Sequence, residues 1–241
     1  MNVAQDIIRA PILPFRMASA YLVRGPGGVI VVDTGVAGSH GRILAALARH
    51  DLAPRDVRLI VITHAHTDHA GGAAALQAAT GAPVAAHAAE LRHLRGLDKM
   101  ELCPTGFWGR LFYKTPLPHE PYAPVEPAVV LDGQRPLDLR AYGVNGQLVA
   151  TPGHSAGSLS VLLDGGDALV GDLVAGGIMI GGVMRVGRAI RPPFDEDQAE
   201  AGRSLAALVD GGFERFHLGH GGPIDAAEAR RHLEHLRLAA A

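Results

Sequence analysis

A dense group of histidines and a carboxylate follows directly after an apolar segment, and this arrangement constrains the chain more than any other feature. Val57–Thr63 (VRLIVIT) predicts a buried strand, and Gly71–Thr80 predicts a short alanine-rich helix. The loop between them places three imidazoles and a carboxylate within six residues: His64, His66, Asp68 and His69. Four such side chains cannot all be core residues, and a metal cation is the partner that these donors favour.

The spacing within this loop suits two adjacent metal ions. His64 and His66 are two residues apart, so both project to the same side of an extended segment. Asp68 and His69 follow as the backbone turns into the helix. Neutral imidazole and carboxylate oxygen favour zinc, and iron or manganese stay open because no thiolate selects against them.

Four ligands do not complete two catalytic sites, and three further candidates end predicted strands: His154 after Gln147–Thr151, Asp172 after Ala168–Gly171, and His220 after Phe213–Leu218. Glycines beside His154 and His220 let the backbone approach a metal closely. His217 is the competing histidine, but it lies within a strand, where alternation can bury it or turn it away from the metals. We therefore predict His220 as the ligand.

The remaining elements predict two β-rich halves. Tyr21–Arg24 and Val29–Asp33 indicate a hairpin, and Ser39 is a predicted N-cap for a helix through His50. Further strands and helices are predicted at Pro83–Ala86, Leu137–Tyr142, Gln147–Thr151, Ser158–Leu163, Ala168–Gly171, Asp195–Asp210, Phe213–Leu218 and Asp225–Leu238. Because each half carries helices, we predict an α/β protein with a four-layer αββα sandwich in a single domain, 1–241.

A proline-punctuated segment at about 96–128 shows no clean period and predicts a functional insertion. We expect it to cover the metal site as a lid that binds substrate. Apolar residues from this segment and from the stretch after Asp172 would line the substrate pocket: Phe107, Trp108, Phe112, Tyr113, Ile178, Met179 and Met184. The alternative is that the aromatic residues seal a satellite core or form a homodimer contact.

Composition excludes several classes of protein. With 241 residues, 48% hydrophobic residues and a net charge of −2, the chain is neither disordered nor suited to nucleic-acid binding. No apolar run is long enough to span a membrane, and the N-terminus lacks the continuous apolar stretch of a secretory signal. Cys103 is the only cysteine, which fits a reducing compartment, so we expect a cytoplasmic protein.

The order His-x-His-x-Asp-His, His, Asp, His resembles the metallo-β-lactamase superfamily from Asp33 to His220. The ligand set is most similar to that of glyoxalase II-like and lactonase-like members. The resemblance implies one metal held by His64, His66 and His154, a second held by Asp68, His69 and His220, and Asp172 bridging the two. It also implies that Asp33, in an Asp-Thr-Gly element, orients a ligand histidine.

Departures from the family pattern narrow the range of substrate classes that the resemblance implies. The β-lactamases of the family usually have Cys or Ser at the bridging position, where this chain has Asp172. Glyoxalase II enzymes carry a helical substrate domain after the last histidine, and 21 residues follow His220 here. Acyl-homoserine lactonases place a catalytic tyrosine after the bridging aspartate, whereas all four tyrosines precede Asp172. Nucleases of the family generally need a basic extension.

A metal ion lowers the pKa of a bound water from 15.7 to about 7, so two metals predict hydrolysis at neutral pH. We expect a zinc-dependent hydrolase that acts on a small ester, thioester or lactone carbonyl, with two zinc ions per chain and Asp68 orienting the attacking hydroxide or relaying its proton. The alternatives are a β-lactam hydrolase, a mononuclear iron oxidoreductase similar to persulfide dioxygenases, and a non-catalytic metal-stabilised binding module.

Overall fold

The computed structural model describes residues 5–177, 185 and 187–240. The first sheet has six strands in chain order: β1 Asp6–Leu13, β2 Ala18–Gly25, β3 Gly28–Val32, β4 Val57–Val61, β5 Val84–His87 and β6 Val129–Leu131. The pairs β1/β2 and β2/β3 are antiparallel, and β3 to β6 run parallel. Parallel strands are buried on both faces, which explains why β3 and β4 are continuous Val/Ile/Leu-rich runs.

In its described residues, the second half contributes eight strands: β7 Leu137–Asp138, β8 Gly146–Ala150, β9 Leu159–Leu163, β10 Asp167–Leu169, β11 Ala175–Gly176, β12 Ala189–Ile190, β13 Arg215–His217 and β14 Ile224–Asp225. Six of them form a sheet in the order β14-β13-β10-β9-β8-β7. The other two, β11 and β12, pair with each other. Only β10 and β13 are parallel neighbours in the six-stranded sheet.

Among the described residues, seven α-helices lie between and after these strands: α1 His40–Arg49, α2 Thr67–Ala70, α3 Ala73–Thr80, α4 Leu91–Leu94, α5 Gly106–Tyr113, α6 Gln198–Asp210 and α7 Ala226–Ala240. One apolar cluster joins α1 and α3 to the outer face of the first sheet, and another joins α6 and α7 to the outer face of the second. A third cluster lies between the sheets. The predicted αββα sandwich is confirmed.

Side chains alternate between the two faces of β3, so this strand contributes to two apolar clusters. Val29 and Val31 face the helices, while Ile30 and Val32 face the second sheet. All four side chains are buried, each at most 1% exposed. The carboxyl end of this strand therefore reaches Asp33 within a fully packed environment.

Two predicted elements have different bounds in the structure, and the predicted N-cap Ser39 is correct in position only. The predicted strand Leu137–Tyr142 ends at Asp138, because the Asp138 side chain accepts a hydrogen bond from the Arg140 N–H and starts a 3-10 helix. Ser39 precedes α1 but makes no side-chain capping hydrogen bond. The predicted helix Asp195–Asp210 begins at Gln198, where Asp197 accepts from the Glu200 N–H as its N-cap.

The insertion at 96–128 contains a helix that the sequence pattern did not predict, α5. Its N-terminal end packs against residues 192–195, where Thr105 N–H donates to the Pro193 carbonyl and Asp195 N–H donates to the Cys103 carbonyl. Gly109 lies so close to Pro193 that a Cβ there would be 2.2 Å from its carbonyl oxygen. Within the described part of the chain, no helix has the length and apolarity needed to cross a membrane.

Candidate metal centre

The loop after β4 and the first turn of α2 carry four of the predicted ligands. His66 has extended backbone (φ −60°, ψ 149°) and directly precedes α2, which begins at Thr67. His64 and His69 are each 1% exposed, whereas the Asp68 side chain is 29% exposed. Asp68 is therefore the member of this loop that faces solvent most.

Three histidines from the two sheets converge in a first group, His64, His66 and His154. His64 Nε2 lies 3.0 Å from His66 Nδ1, and His154 Nε2 lies 3.2 Å from His64 Nε2 and 3.1 Å from His66 Nδ1. Burial, reinforced by the neighbouring histidines, holds the pKa of His64 well below its ordinary value. Burial and then His154 lower the pKa of His66 to about 3, so both rings are neutral at pH 7.

The second group, Asp68, His69 and His220, contains a carboxylate. His220 Nε2 lies 3.2 Å from Asp68 Oδ2 and 3.4 Å from His69 Nε2. Burial would lower the pKa of His220, but Asp172 and Asp68 outweigh it and raise that pKa to about 10. Burial is likewise outweighed at His69, whose pKa the carboxylates of Asp172, Asp33 and Asp68 hold well above its ordinary value.

Asp172 lies between the two groups. Its Oδ2 is 3.0 Å from His220 Nε2 and 3.9 Å from His154 Nε2, and its Oδ1 is 3.3 Å from His69 Nε2. Burial would raise the pKa of this carboxyl, yet His220 and His69 hold it well below its ordinary range. The structure thus brings all seven predicted ligands together, and their roles as ligands stay predictions.

The donor set fits metal ions. In each group the ligand atoms lie within 4.8 Å of one another. Asp172 Oδ1 is buried and lies 3.3 Å from His69 Nε2, but it makes no well-aligned hydrogen bond to any described residue, so it keeps lone pairs available for a cation. Gly219 leaves room for this arrangement, because a Cβ there would be 2.3 Å from Asp172 Oδ1 and 2.4 Å from His69 Cε1.

Asp33 contacts the centre from behind, as the resemblance implies. Its Oδ2 lies 2.8 Å from His69 Nδ1, which leaves His69 Nε2 facing His220 and Asp172. Its carboxylate also accepts hydrogen bonds from the Thr63 backbone N–H and hydroxyl, each 2.9 Å long. Thr63 Oγ1 is in turn 3.0 Å from His64 Nδ1. Asp33 is therefore connected to one histidine of each group.

A second carboxylate of this kind was missed by the sequence analysis. Asp195 Oδ1 lies 3.2 Å from His154 Nδ1, and the Asp195 side chain is 2% exposed. Burial raises the pKa of Asp195, and the contact with His154 opposes that shift. Its position 41 residues after its partner gave no local signal, since Asp195 was predicted only as the start of a helix.

His217, the alternative to His220 as a predicted ligand, lies outside both ligand groups. His217 Nε2 is 2.9 Å from Asp167 Oδ1, on β10, and its ring packs edge-on against Tyr21. The parallel pairing of β10 with β13 places His217 opposite Leu169. Its neighbour in the chain, His220, is the one that reaches the centre.

The predicted pocket residues differ in their connection to the centre. Phe112 packs on Phe194 with ring centroids 5.8 Å apart, and Phe194 lies 6.2 Å from the His66 ring. Trp108 is 71% exposed and stacks edge-on with Phe107, while Tyr113 contacts His119. Three further predicted residues lie outside the described residues: Ile178, Met179 and Met184.

Comparison with known proteins decides the family. Residues 13–220 match the family model of the metallo-beta-lactamase superfamily. The chain belongs to this superfamily. The resemblance inferred from the ligand motifs is thereby confirmed.

Individual relatives extend this result. A probable metallo-hydrolase of Methanocaldococcus jannaschii is 23% identical over 72% of this chain and 75% of its own length. A hydroxyacylglutathione hydrolase of Albidiferax ferrireducens is 32% identical over 61% of this chain, a match that spans 42% of that enzyme. A metallo-beta-lactamase family protein of Thermus thermophilus superposes with a TM-score of 0.67 at 25% identity, covering 97% of this chain and 79% of the other.

Proposed function

We propose that this protein is a cytoplasmic hydrolase that uses two metal ions, zinc in the first instance, to cleave a small ester, thioester or lactone. The observation that carries the proposal is the pair of ligand groups with one carboxylate, Asp172, in contact with both. Two ions joined by a shared anionic ligand suit hydrolysis of a carbonyl substrate. The partial match to a hydroxyacylglutathione hydrolase supports a thioester among these substrates.

The two groups would hold one ion each, with Asp172 shared. When bound, the ions lower the pKa of a coordinated water and polarise the substrate carbonyl. The chain's own contribution begins with Asp68, whose pKa is held well below its ordinary value because His69 and His220 outweigh the effect of burial. Its carboxylate is therefore ionised and partly exposed. It is available to orient the attacking water, to accept the proton that this water loses and to pass that proton to the leaving group.

The substrate's acyl part would lie against the apolar wall that leads away from the first group. Phe194 is 5% exposed and contacts His66, and Phe112 of the insertion extends the same wall. Aromatic walls of this kind exclude water and favour apolar substrate groups. The insertion would then act as the lid, with Trp108 and Tyr113 at its outer, exposed side.

The test is a substrate panel combined with metal counting. Purified protein is assayed on esters, thioesters, lactones and β-lactams, and its metal content is measured on the same sample. We expect two zinc ions per chain and turnover of at least one of the first three classes. Asp68→Asn should lose turnover, whereas His217→Ala, a histidine outside the centre, should keep it. Metal-free protein, or turnover that survives chelation, would contradict the proposal.

One observation favours a second candidate, an iron oxidoreductase similar to persulfide dioxygenases. His64, His69 and Asp172 also lie within 4.8 Å of one another, and two histidines with one carboxylate form the ligand set of many non-haem iron oxygenases. One iron per chain together with oxygen consumption would support this candidate. Cleavage of β-lactams in the panel would support the other alternative, a β-lactam hydrolase.

A further inference from the structure

Glu90 is a buried carboxylate that the sequence analysis did not single out. It ends the 3-10 helix Ala88–Glu90, which follows β5, and it is 3% exposed. Its Oε2 accepts a hydrogen bond from the Ala65 N–H at 2.9 Å. Its Oε1 accepts from the Ser155 hydroxyl at 2.7 Å and from the Gly157 N–H at 3.1 Å. Three donors thus satisfy a charge that is removed from solvent.

These donors belong to the two loops that carry the first ligand group. Ala65 lies between His64 and His66, while Ser155 follows His154 directly. The first loop follows a strand of one sheet, and the second follows a strand of the other. A single carboxylate therefore fixes the distance between ligands that come from opposite sheets.

The close approach of Glu90 depends on Gly157. A Cβ at position 157 would lie 2.4 Å from Glu90 Oε1 and 2.5 Å from its Cγ. On the second loop, Ser158 Oγ accepts from the Ser155 N–H at 3.0 Å, which fixes the orientation of Ser155 as well. The glycine and the two serines after His154 are thus arranged around this carboxylate.

Tyr122, from the insertion, contacts the same peptide segment. Its hydroxyl donates a 2.7 Å hydrogen bond to the Ala65 carbonyl. Burial, with the charge of Glu90 adding to it, raises the pKa of Tyr122, so the phenol stays protonated and remains a donor. Ala65 is therefore held at its N–H by Glu90 and at its carbonyl by Tyr122.

We propose that Glu90 is a positioning residue that holds the His64–His66 loop and the His154 loop at the spacing a metal ion requires, with Tyr122 supporting the first of these loops. The inference rests on the proposed metal centre. The ligand nitrogens of these three histidines lie 3.0 to 3.2 Å from one another, although they come from two separate loops. Because Glu90 hydrogen-bonds to both loops, it keeps these nitrogens close together, which raises the affinity of the first group for a metal ion.

The test measures metal affinity of the metal-free protein, so it does not depend on catalysis. Stepwise Co²⁺ titration against a competing chelator yields two binding constants for the wild type. In Glu90→Gln, the amide NH₂ faces a backbone N–H in either orientation, that of Ala65 or that of Gly157. We expect one constant to fall by about tenfold or more and the other to stay within about twofold.

Glu196→Gln is the matched control. Glu196 Oε2 accepts one hydrogen bond, from the Ala156 N–H at 2.7 Å, on the outer side of the same loop. A glutamine there removes the same charge but keeps an acceptor, so both constants should stay at wild-type values. The His66→Ala chain, whose first group is already incomplete, supplies the second control, since Glu90→Gln should have no additional effect in it.

Tyr122→Phe removes one hydroxyl from the same segment and should weaken the same constant by about threefold, the effect of one hydrogen bond. Tyr113→Phe, an exposed tyrosine of the insertion, is its control. If Glu90→Gln does not fold, the Tyr122→Phe comparison decides. Equal loss in both constants with a lower Tm, or no loss in either, overturns the inference. A wild type that binds no Co²⁺ overturns the proposed function itself.

Discussion

The two ligand groups balance their charges in different ways. The second group pairs two histidines of raised pKa with the carboxylates of Asp68 and Asp172, so its members attract one another without metal. The first group consists of three imidazoles, and burial keeps two of them neutral. Its geometry depends on contacts from outside, made by Asp195 and by Glu90.

This difference indicates how the two groups would take up metal. An ion entering the first group meets two imidazoles, His64 and His66, that burial keeps neutral. An ion entering the second group must displace protons and separate existing ion pairs. Two sites that share Asp172 are therefore expected to respond differently to pH and to mutation.

The largest effect is expected from removing a ligand of the first group. His66→Ala should reduce hydrolysis to the uncatalysed background, because the first ion loses a ligand while the loop contributes little to the apolar core. Metal analysis and circular dichroism on the same protein check both parts. Full metal occupancy with retained activity would show that His66 is not a ligand.

Asp172→Asn tests the shared ligand. Replacing the carboxylate by an amide removes the negative charge between the groups, so we expect occupancy of at least one ion to fall and turnover to fall with it. Mass spectrometry under native conditions gives the number of ions per chain. Unchanged numbers of ions per chain and an unchanged turnover rate in this variant would show that Asp172 is not a ligand.

Proton release distinguishes the groups directly. At pH 7, His220, with a pKa of about 10, and His69 are protonated, whereas His66, with a pKa of about 3, is not. In His66→Ala, metal binding should release protons, and affinity should rise as pH increases through neutrality, because proton competition weakens. In His220→Ala, binding to the first group should release fewer protons, because His64 and His66 are already neutral.

Calorimetric titration in buffers of different protonation enthalpy counts these protons. Equal release from both variants would contradict the contrast between a neutral and an ion-paired group.

Asp33 and Asp195, the carboxylates that contact His69 and His154, allow a sharper comparison of the two ligand groups. Asp33→Asn should weaken the second group through His69, and Asp195→Asn should weaken the first through His154, each by about 10- to 100-fold in metal affinity. Competition with a chelator measures both constants for each variant. The two variants would fail the prediction if they affected the same constant.

The smallest effect is expected outside both groups. Trp108→Ala should raise KM for apolar acyl substrates, because it removes the packing of Trp108 on Phe107 within the proposed lid. It should leave metal content unchanged, because Trp108 is not among the predicted ligands. Steady-state kinetics and size-exclusion chromatography separate the two hypotheses for this segment. A changed oligomeric state with unaltered kinetics would make the aromatic residues an interface.

The sequence was sufficient to predict residues whose positions follow from local pattern. The centre's histidines and Asp172 stand where predicted strands end, and the glycines beside them gave a further signal. Glu90 and Asp195 could not be found this way, because their partners lie 25 to 67 and 41 positions away and depend on how the sheets meet. The 3-10 helix at Leu139–Tyr142 was missed because its apolar residues also suit a strand.

The last predicted ligand of the first group precedes the last one of the second group in the chain, and this has a consequence for synthesis. The three histidines of the first group have all been synthesised once His154 is added, whereas the second group waits for His220, 66 residues later. At the usual rate of about 5 to 20 residues per second, that interval lasts roughly 3 to 13 s. A nascent chain would thus contain the three histidines of the first group and Glu90 before Asp195 is added, and while the carboxylate-containing group is still incomplete.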